Sequence, residues 1–169
     1  TRYIHFDKYL VYGEGVYRDH YLEKWPDDLE VIPVGPFRTP RQTFLNRAPS
    51  NPDVIPIFCG VYSSMPAMVE FVRAVALALP DKKFLLQVKP VYFRHETGRR
   101  YADLCMAGID NIELTEESIY SLLSRVRYAI TDPSSIIVEA MSFDVECFLV
   151  DVCPWHDENY IRQVDEVMV

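Results

Sequence analysis

No stretch of this 169-residue chain comes near the ~18 consecutive apolar residues that a membrane-spanning helix requires. Its charge does not suit a polyanion either. Seventeen Lys and Arg against twenty-five Asp and Glu leave a formal net charge of −8 and a pI near 5.0, which argues against a nucleic-acid backbone as partner. A local anion site survives that average, because a few backbone N–H groups and one lysine hold a phosphate. Metal-ligand spacing is missing as well: Cys59, Cys105, Cys147 and Cys153 form no CxxC or Cys/His pattern, so no metal is expected. Cys59 and Cys147 lie in apolar runs, where cysteine serves as a small buried hydrophobe, and reduced structural thiols point to the cytoplasm. There is no Ser-His-Asp order, no HExxH, and no Walker A or GxGxxG loop. The opening "TRYIHFDKYL" lacks the charged-then-apolar layout of a signal peptide. A chain that starts at Thr1 rather than Met is expected to be a fragment of something longer.

What remains is an ordinary globular composition, 49% hydrophobic and 25% charged, in which short apolar runs alternate with longer amphipathic ones. "KYLVYG" (8–13) and "LEVIPVG" (29–35) read as strands, with helical spacing in "GVYRDHYLEKW" between them. The segment 36–53 is rich in Pro, Asn, Ser and Arg without a period and reads as a linker. "VIPIFCG" (54–60) is then an apolar strand ending in glycine. The helix in "SSMPAMVEFVRAVALALP" has Ser64 as N-cap, Pro66 in its first turn and an inward stripe of Met68, Phe71, Val72, Val75 and Leu79. "FLLQVKP" (84–90) and "NIEL" (111–114) are strands; the helix between them ends at Gly108. "TEESIYSLLSRV" opens on a capping-box-like Thr115. "YAITD", a helix, "CFLVD" and a final amphipathic "DENYIRQVDEVM" complete the series. Strict alternation with apolar, non-alternating strands predicts an α/β fold: an open, mainly parallel Rossmann-like sheet with helices on both faces.

In such a sheet, ligands bind beyond the carboxyl ends of the strands. That rule selects Gly60, Lys89, Asp132 to Ser135 and the loop 151–156 carrying Trp155 and His156. Ser134 and Ser135 open the helix after "YAITD", where unpaired amides attract an anion and two hydroxyls add donors. Glu139, a turn further on, is out of reach of that phosphate but suits a diol such as ribose. The same residues also fit an ordinary helix start, capped by Asp132 or Ser134, with Glu139 facing solvent.

The stretch "AITDPSSIIVEAMSFDVECFLVD" resembles the donor-site region of GT-B glycosyltransferases, above all bacterial polysialyl- and capsule-type enzymes, and more loosely the nucleotide-sugar 2-epimerases. The resemblance implies that Ser134 and Ser135 contact the donor phosphate and Glu139 the nucleotide ribose. It implies that 1–36 end a first lobe, 37–53 link the lobes, and 54–169 form the nucleotide-sugar-binding lobe. Where capsule-type transferases carry a His-Pro, this chain has Lys89-Pro90; lysine holds phosphate as a point charge but is no near-neutral acid. Lys89 and His156 are accordingly the catalytic candidates, with Ser134, Ser135, Lys89 and Gly60 toward the phosphate. The expectation is a glycosyltransferase fragment with little activity alone, taking a nucleotide-sugar donor and a glycan acceptor. It needs no metal or other cofactor, contacts no nucleic acid, and works in the cytoplasm or peripherally at the inner membrane face. A non-catalytic nucleotide- or sugar-binding module and an epimerase-like enzyme are the alternatives.

Overall fold

A computed structural model of the chain describes residues 7–11, 29–34, 50–60, 66–150 and 152. The chain divides into two compact units, Thr1–Pro40 with Asp157–Val169, and Arg41–His156. In the first unit, β1 (Lys8–Val11) and β2 (Glu30–Pro33) pair in parallel, Lys8 opposite Glu30 and Val11 opposite Pro33. The Lys8–Glu30 ion pair sits on that register at 2.9 Å.

The second unit runs β3 (Val54–Cys59), α1 (Pro66–Ala78), β4 (Lys83–Val88), α2 (Pro90–Phe93), α3 (Glu96–Met106), β5 (Ile112–Leu114), α4 (Ile119–Leu123), β6 (Tyr128–Thr131), α5 (Ile136–Ser142) and β7 (Glu146–Leu149). Its five strands form one all-parallel sheet in the order β5-β4-β3-β6-β7. The chain thus steps outward from β3 through β4 to β5, returns to the other side of β3, and steps outward again. The order reverses between β3 and β6.

Alternation along each strand divides the core in two. Ile55, Ile57 and Cys59 of β3, Phe84, Leu86 and Val88 of β4, and Ile130 of β6 share one face with Met68, Val72 and Ala76 of α1 and Tyr101, Ala102 and Cys105 of α3. Phe58, Leu85, Ala129 and Cys147 turn the other way and are buried too. Their cover is supplied by the buried residues of α4 and α5: Leu122, Leu123, Ile137 and Ala140. Helices therefore lie on both faces, and strands buried on both sides have no polar alternation to show. Each fully buried Leu, Ile or Phe contributes roughly 1.5–3 kcal/mol.

Two local readings change and one holds. The buried line of α1 is Met68, Val72 and Ala76, the expected Phe71 and Val75 are partly buried against the same core, and Leu79 is 43% exposed. The helix stops at Ala78, so Leu79 falls beyond its last turn. The N-cap of α4 is Ser118, whose hydroxyl accepts from the Ser121 amide at 3.1 Å, whereas Thr115 Oγ1 accepts from Glu117 N in a turn before it. Glycine does end α3, one residue past its C-cap Ala107, with Gly108 at φ +68°. Two side chains finish the helices on the first face. Asn111 Nδ2 donates to the carbonyls of Ala76 (3.0 Å), Leu79 (3.1 Å) and Lys82 (3.0 Å) beyond α1. Arg73 Nη1 donates to those of Leu104 (2.9 Å) and Ala107 (2.7 Å) at the end of α3. Side chains thereby satisfy some of the orphan carbonyls at both C-termini, Ala76 of α1 and Leu104 of α3 among them. Ser64, the segment 15–25, Cys153, Trp155, His156 and the final amphipathic stretch lie outside the described residues.

Candidate functional site

The reversal of strand order between β3 and β6 creates a crevice at their carboxyl ends, because the connections leave in opposite directions there. Three strand ends are stitched together at that point. The Lys89 amide donates to the Cys59 carbonyl at 2.9 Å, and the Asp132 amide to the Phe58 carbonyl at 3.3 Å. The Asp132 carboxylate then reaches back across the crevice: its Oδ2 accepts from the Gly60 amide at 2.9 Å and from Cys59 Sγ at 3.9 Å. Asp132 is only 1% exposed. A carboxylate buried to that degree is stable when hydrogen bonds replace its water, and the turn after β3 supplies one.

Ser134 belongs to the same construction. Its Oγ lies 3.1 Å from Thr131 Oγ1, which in turn donates to the Asp132 carbonyl at 2.9 Å. Thr131 is fully buried. Ser134 Oγ also accepts from the Ile136 amide at 3.4 Å. The adjacent Ser135 is different. It is the exposed N-cap residue of α5 by position, in αR conformation, and its hydroxyl makes no capping bond. Among the described residues nothing meets Ser135 Oγ or the amides of Ser134 and Ser135.

The first-turn amides of α5 are otherwise occupied. Ile137 N donates to the Ser134 carbonyl at 3.3 Å, and Val138 N and Glu139 N to the Ser135 carbonyl at 3.2 and 3.4 Å. These tight bonds close the turn on itself, one of the ways a helix satisfies its own end. An anion at this loop would meet the Ser134 and Ser135 amides and Ser135 Oγ, ahead of the helical turn.

Of the residues picked out from sequence, the fold brings Gly60, Lys89, Ser134 and Ser135 to the ends of β3, β4 and β6. The Gly60 amide is committed to Asp132. Lys89 is exposed at the end of β4. Glu139 is 7% exposed and buried in the first turn of α5, which removes the solvent-facing alternative. His156 lies outside the described residues. Asp132 was missed as more than a helix cap. The signal was a carboxylate directly after a buried parallel strand, where the neighbouring strand's turn offers its amides.

Behind the crevice, Tyr101 Oη is buried against the sulfurs of Cys59 and Cys105 without meeting a partner at hydrogen-bond geometry. Burial, then the Asp132 charge, pushes the Cys59 thiol far up. Burial pushes the Cys105 thiol up to about 11 and the Cys147 thiol to about 12. All three are protonated and inert near neutrality, and all three are buried, as the apolar context of Cys59 and Cys147 predicts. Among the described residues no group of three or more His, Cys, Asp or Glu is arranged to hold a metal ion, and no helix is long and apolar enough to cross a membrane. No protein-family model matches the chain, and no curated protein is significantly similar to it.

Proposed function

We propose that this chain is the donor-binding part of a glycosyltransferase, holding a nucleotide-activated sugar at the crevice between β3 and β6. The observation that carries the reading is the loop at the strand-order reversal. Asp132 and Ser134 fix its shape, while Ser135 Oγ and two successive amides stay uncommitted beside it. Ligands of open α/β sheets bind at this place, and clustered backbone N–H groups there favour phosphate. The motif resemblance gives the same residues the same roles.

In this reading the phosphate of the donor accepts from the Ser134 and Ser135 amides and from Ser135 Oγ, and Lys89 contributes a point charge from the end of β4. Glu139 accepts from the ribose diol. Negative charge grows on the leaving nucleotide as the glycosidic bond breaks, so donors fixed in advance lower the barrier without reorganising. The acceptor and its catalytic base belong to a further lobe.

The test is ligand-observed NMR with a panel of nucleotides and nucleotide sugars. Ser135→Ala and Glu139→Gln should each weaken the best ligand about tenfold, the loss of one charge-assisted hydrogen bond of roughly 1.5 kcal/mol. Unchanged affinity in both folded variants removes the site assignment, and no binding by any member of the panel removes the function.

A further inference from the structure

A second cavity opens at the carboxyl end of the sheet, beyond β4 and β5, walled by Gln87, Val88, Pro90, Arg94, Leu114, Thr115 and Glu116. None of these seven residues belongs to the crevice between β3 and β6. The midpoint of β4 and β5 is two inter-strand spacings from the midpoint of β3 and β6, about 10 Å. At about 290 Å³ the cavity lies at the small end of the roughly 300–1,000 Å³ that ligand pockets span. It is sized for a compact molecule.

Its lining carries one charged side chain of each sign. Next to it, Glu117 is paired with Arg125. Arg94 and Glu116 line the same cavity on segments that follow different strands, yet the guanidinium and the carboxylate do not pair with each other or with any described group. Val88, Pro90 and Leu114 supply apolar wall between them.

Both walls are also braced in advance. Gln87 Nε2 donates to the Glu117 carbonyl, the Glu117 amide donates to Thr115 Oγ1 at 3.2 Å, and the Thr115 amide donates to the Leu86 carbonyl at 2.9 Å. Glu117 itself is drawn toward α4, accepting from Ser121 Oγ at 3.1 Å and Arg125 Nη2 at 2.7 Å. Glu116 is thus left at the cavity. On the opposite wall the Arg94 amide donates to the Pro90 carbonyl at 3.2 Å and Arg99 Nη2 to the Arg94 carbonyl at 3.4 Å. Walls held by their own hydrogen bonds lose little freedom when a ligand arrives.

We propose that this cavity binds a small zwitterion of the α-amino-acid type, its carboxylate on Arg94, its ammonium on Glu116 and its side chain against Val88, Pro90 and Leu114. A simple anion would pair with Arg94 but meet the Glu116 charge, and a simple cation would meet the reverse. A molecule with both groups satisfies both walls, and the planar guanidinium fork matches a carboxylate in particular. The site stands independently of the donor reading.

The test is a ¹H–¹⁵N correlation titration of the whole chain with each of the standard L-amino acids. The expected result is saturable shifting of the Val88, Leu114, Thr115 and Glu116 amides in the millimolar range, as a small ligand held by two rim ion pairs gives. The best amino acid should bind roughly fivefold more tightly than its analogue lacking the ammonium and than its analogue lacking the carboxylate. Arg94→Gln and Glu116→Gln should each weaken it by a similar factor. Both are surface substitutions that leave the fold intact. The proposal is overturned if no amino acid moves those amides. It is equally overturned if the carboxylate-only analogue binds as well as the parent, leaving an anion site, or if a nucleotide shifts the same amides and Arg94→Gln weakens that nucleotide, which makes the cavity part of the donor site.

Discussion

Replacing Asp132 by alanine tests whether one carboxylate holds the crevice together. Its Oδ2 accepts the Gly60 amide at 2.9 Å and faces Cys59 Sγ at 3.9 Å, with 1% of the residue exposed. A hydrogen bond to a charged group contributes about 1.5–3 kcal/mol, and a buried donor left without a partner costs about 1–3 kcal/mol. Gly60 is only partly buried, so water rescues part of its amide and the total stays near 2–3 kcal/mol. For a chain of this size about 2–4 °C accompanies each kcal/mol, so the melting midpoint should fall by roughly 4–12 °C. Asp132→Asn keeps an acceptor oxygen for Gly60 and loses the charge, so its cost should be nearer 1 kcal/mol. Urea unfolding followed by circular dichroism gives the free energies, and amide exchange at Gly60 gives the local readout. An alanine variant within about 0.5 kcal/mol of the parent, the ordinary range of a surface change, with the Gly60 amide still protected, would refute the clamp.

Three further outcomes follow from the same contacts. Ser134→Ala should cost about 1 kcal/mol in urea unfolding, since its hydroxyl joins Thr131 Oγ1 and the Ile136 amide, whereas Ser135→Ala should be silent in stability because its hydroxyl joins nothing described. Asn111→Asp should be more destabilising than Asn111→Ala, although it is nearly isosteric, because it sets a carboxylate against three carbonyls that now receive the amide; thermal midpoints of the two variants decide it. Cys147 stays protonated in the folded chain up to about 12 while the unfolded thiol ionises near 9.0. Its contribution is therefore complete below pH 9 and is lost as pH rises from there toward 12, at about 1.4 kcal/mol per pH unit. Comparing urea midpoints at pH 8 and pH 10, Cys147→Ala should shrink the alkaline loss by about 1.4 kcal/mol.

The sheet was legible because its strands are buried on both faces. "VIPIFCG", "FLLQVKP" and "YAITD" are continuous apolar runs whose ends match β3, β4 and β6 within two residues. β1 and β2 were legible from their apolar runs alone, although only Val11 of the two strands is buried. Helix ends were less so. Thr115 and Ser118 are both good caps, with acids following only Thr115, and only the completed fold selects Ser118. Leu79 looks like a stripe residue until the helix ends one position earlier and Ala76 fills the inner line. The reach of Asn111 to α1 and of Arg73 to α3 spans 29 to 35 residues in sequence, beyond anything a local pattern encodes.

The site shows the same division more sharply. Two adjacent serines are chemically identical in sequence, and the role given to both was the same. Their surroundings separate them: Ser134 is turned inward onto a buried threonine, and Ser135 is left exposed. The first-turn amides of α5, the obvious anion receptors from sequence, already donate to Ser134 and Ser135 carbonyls. In the proposed reading, a phosphate at this loop would be held by the two amides that precede the helix rather than by the helix itself. The dipole of a seven-residue helix then matters less than the rigidity of the loop, and that rigidity comes from Asp132. If so, Asp132→Asn should weaken nucleotide binding without Asp132 touching the ligand, and it should do so in proportion to the exchange rate it restores at Gly60.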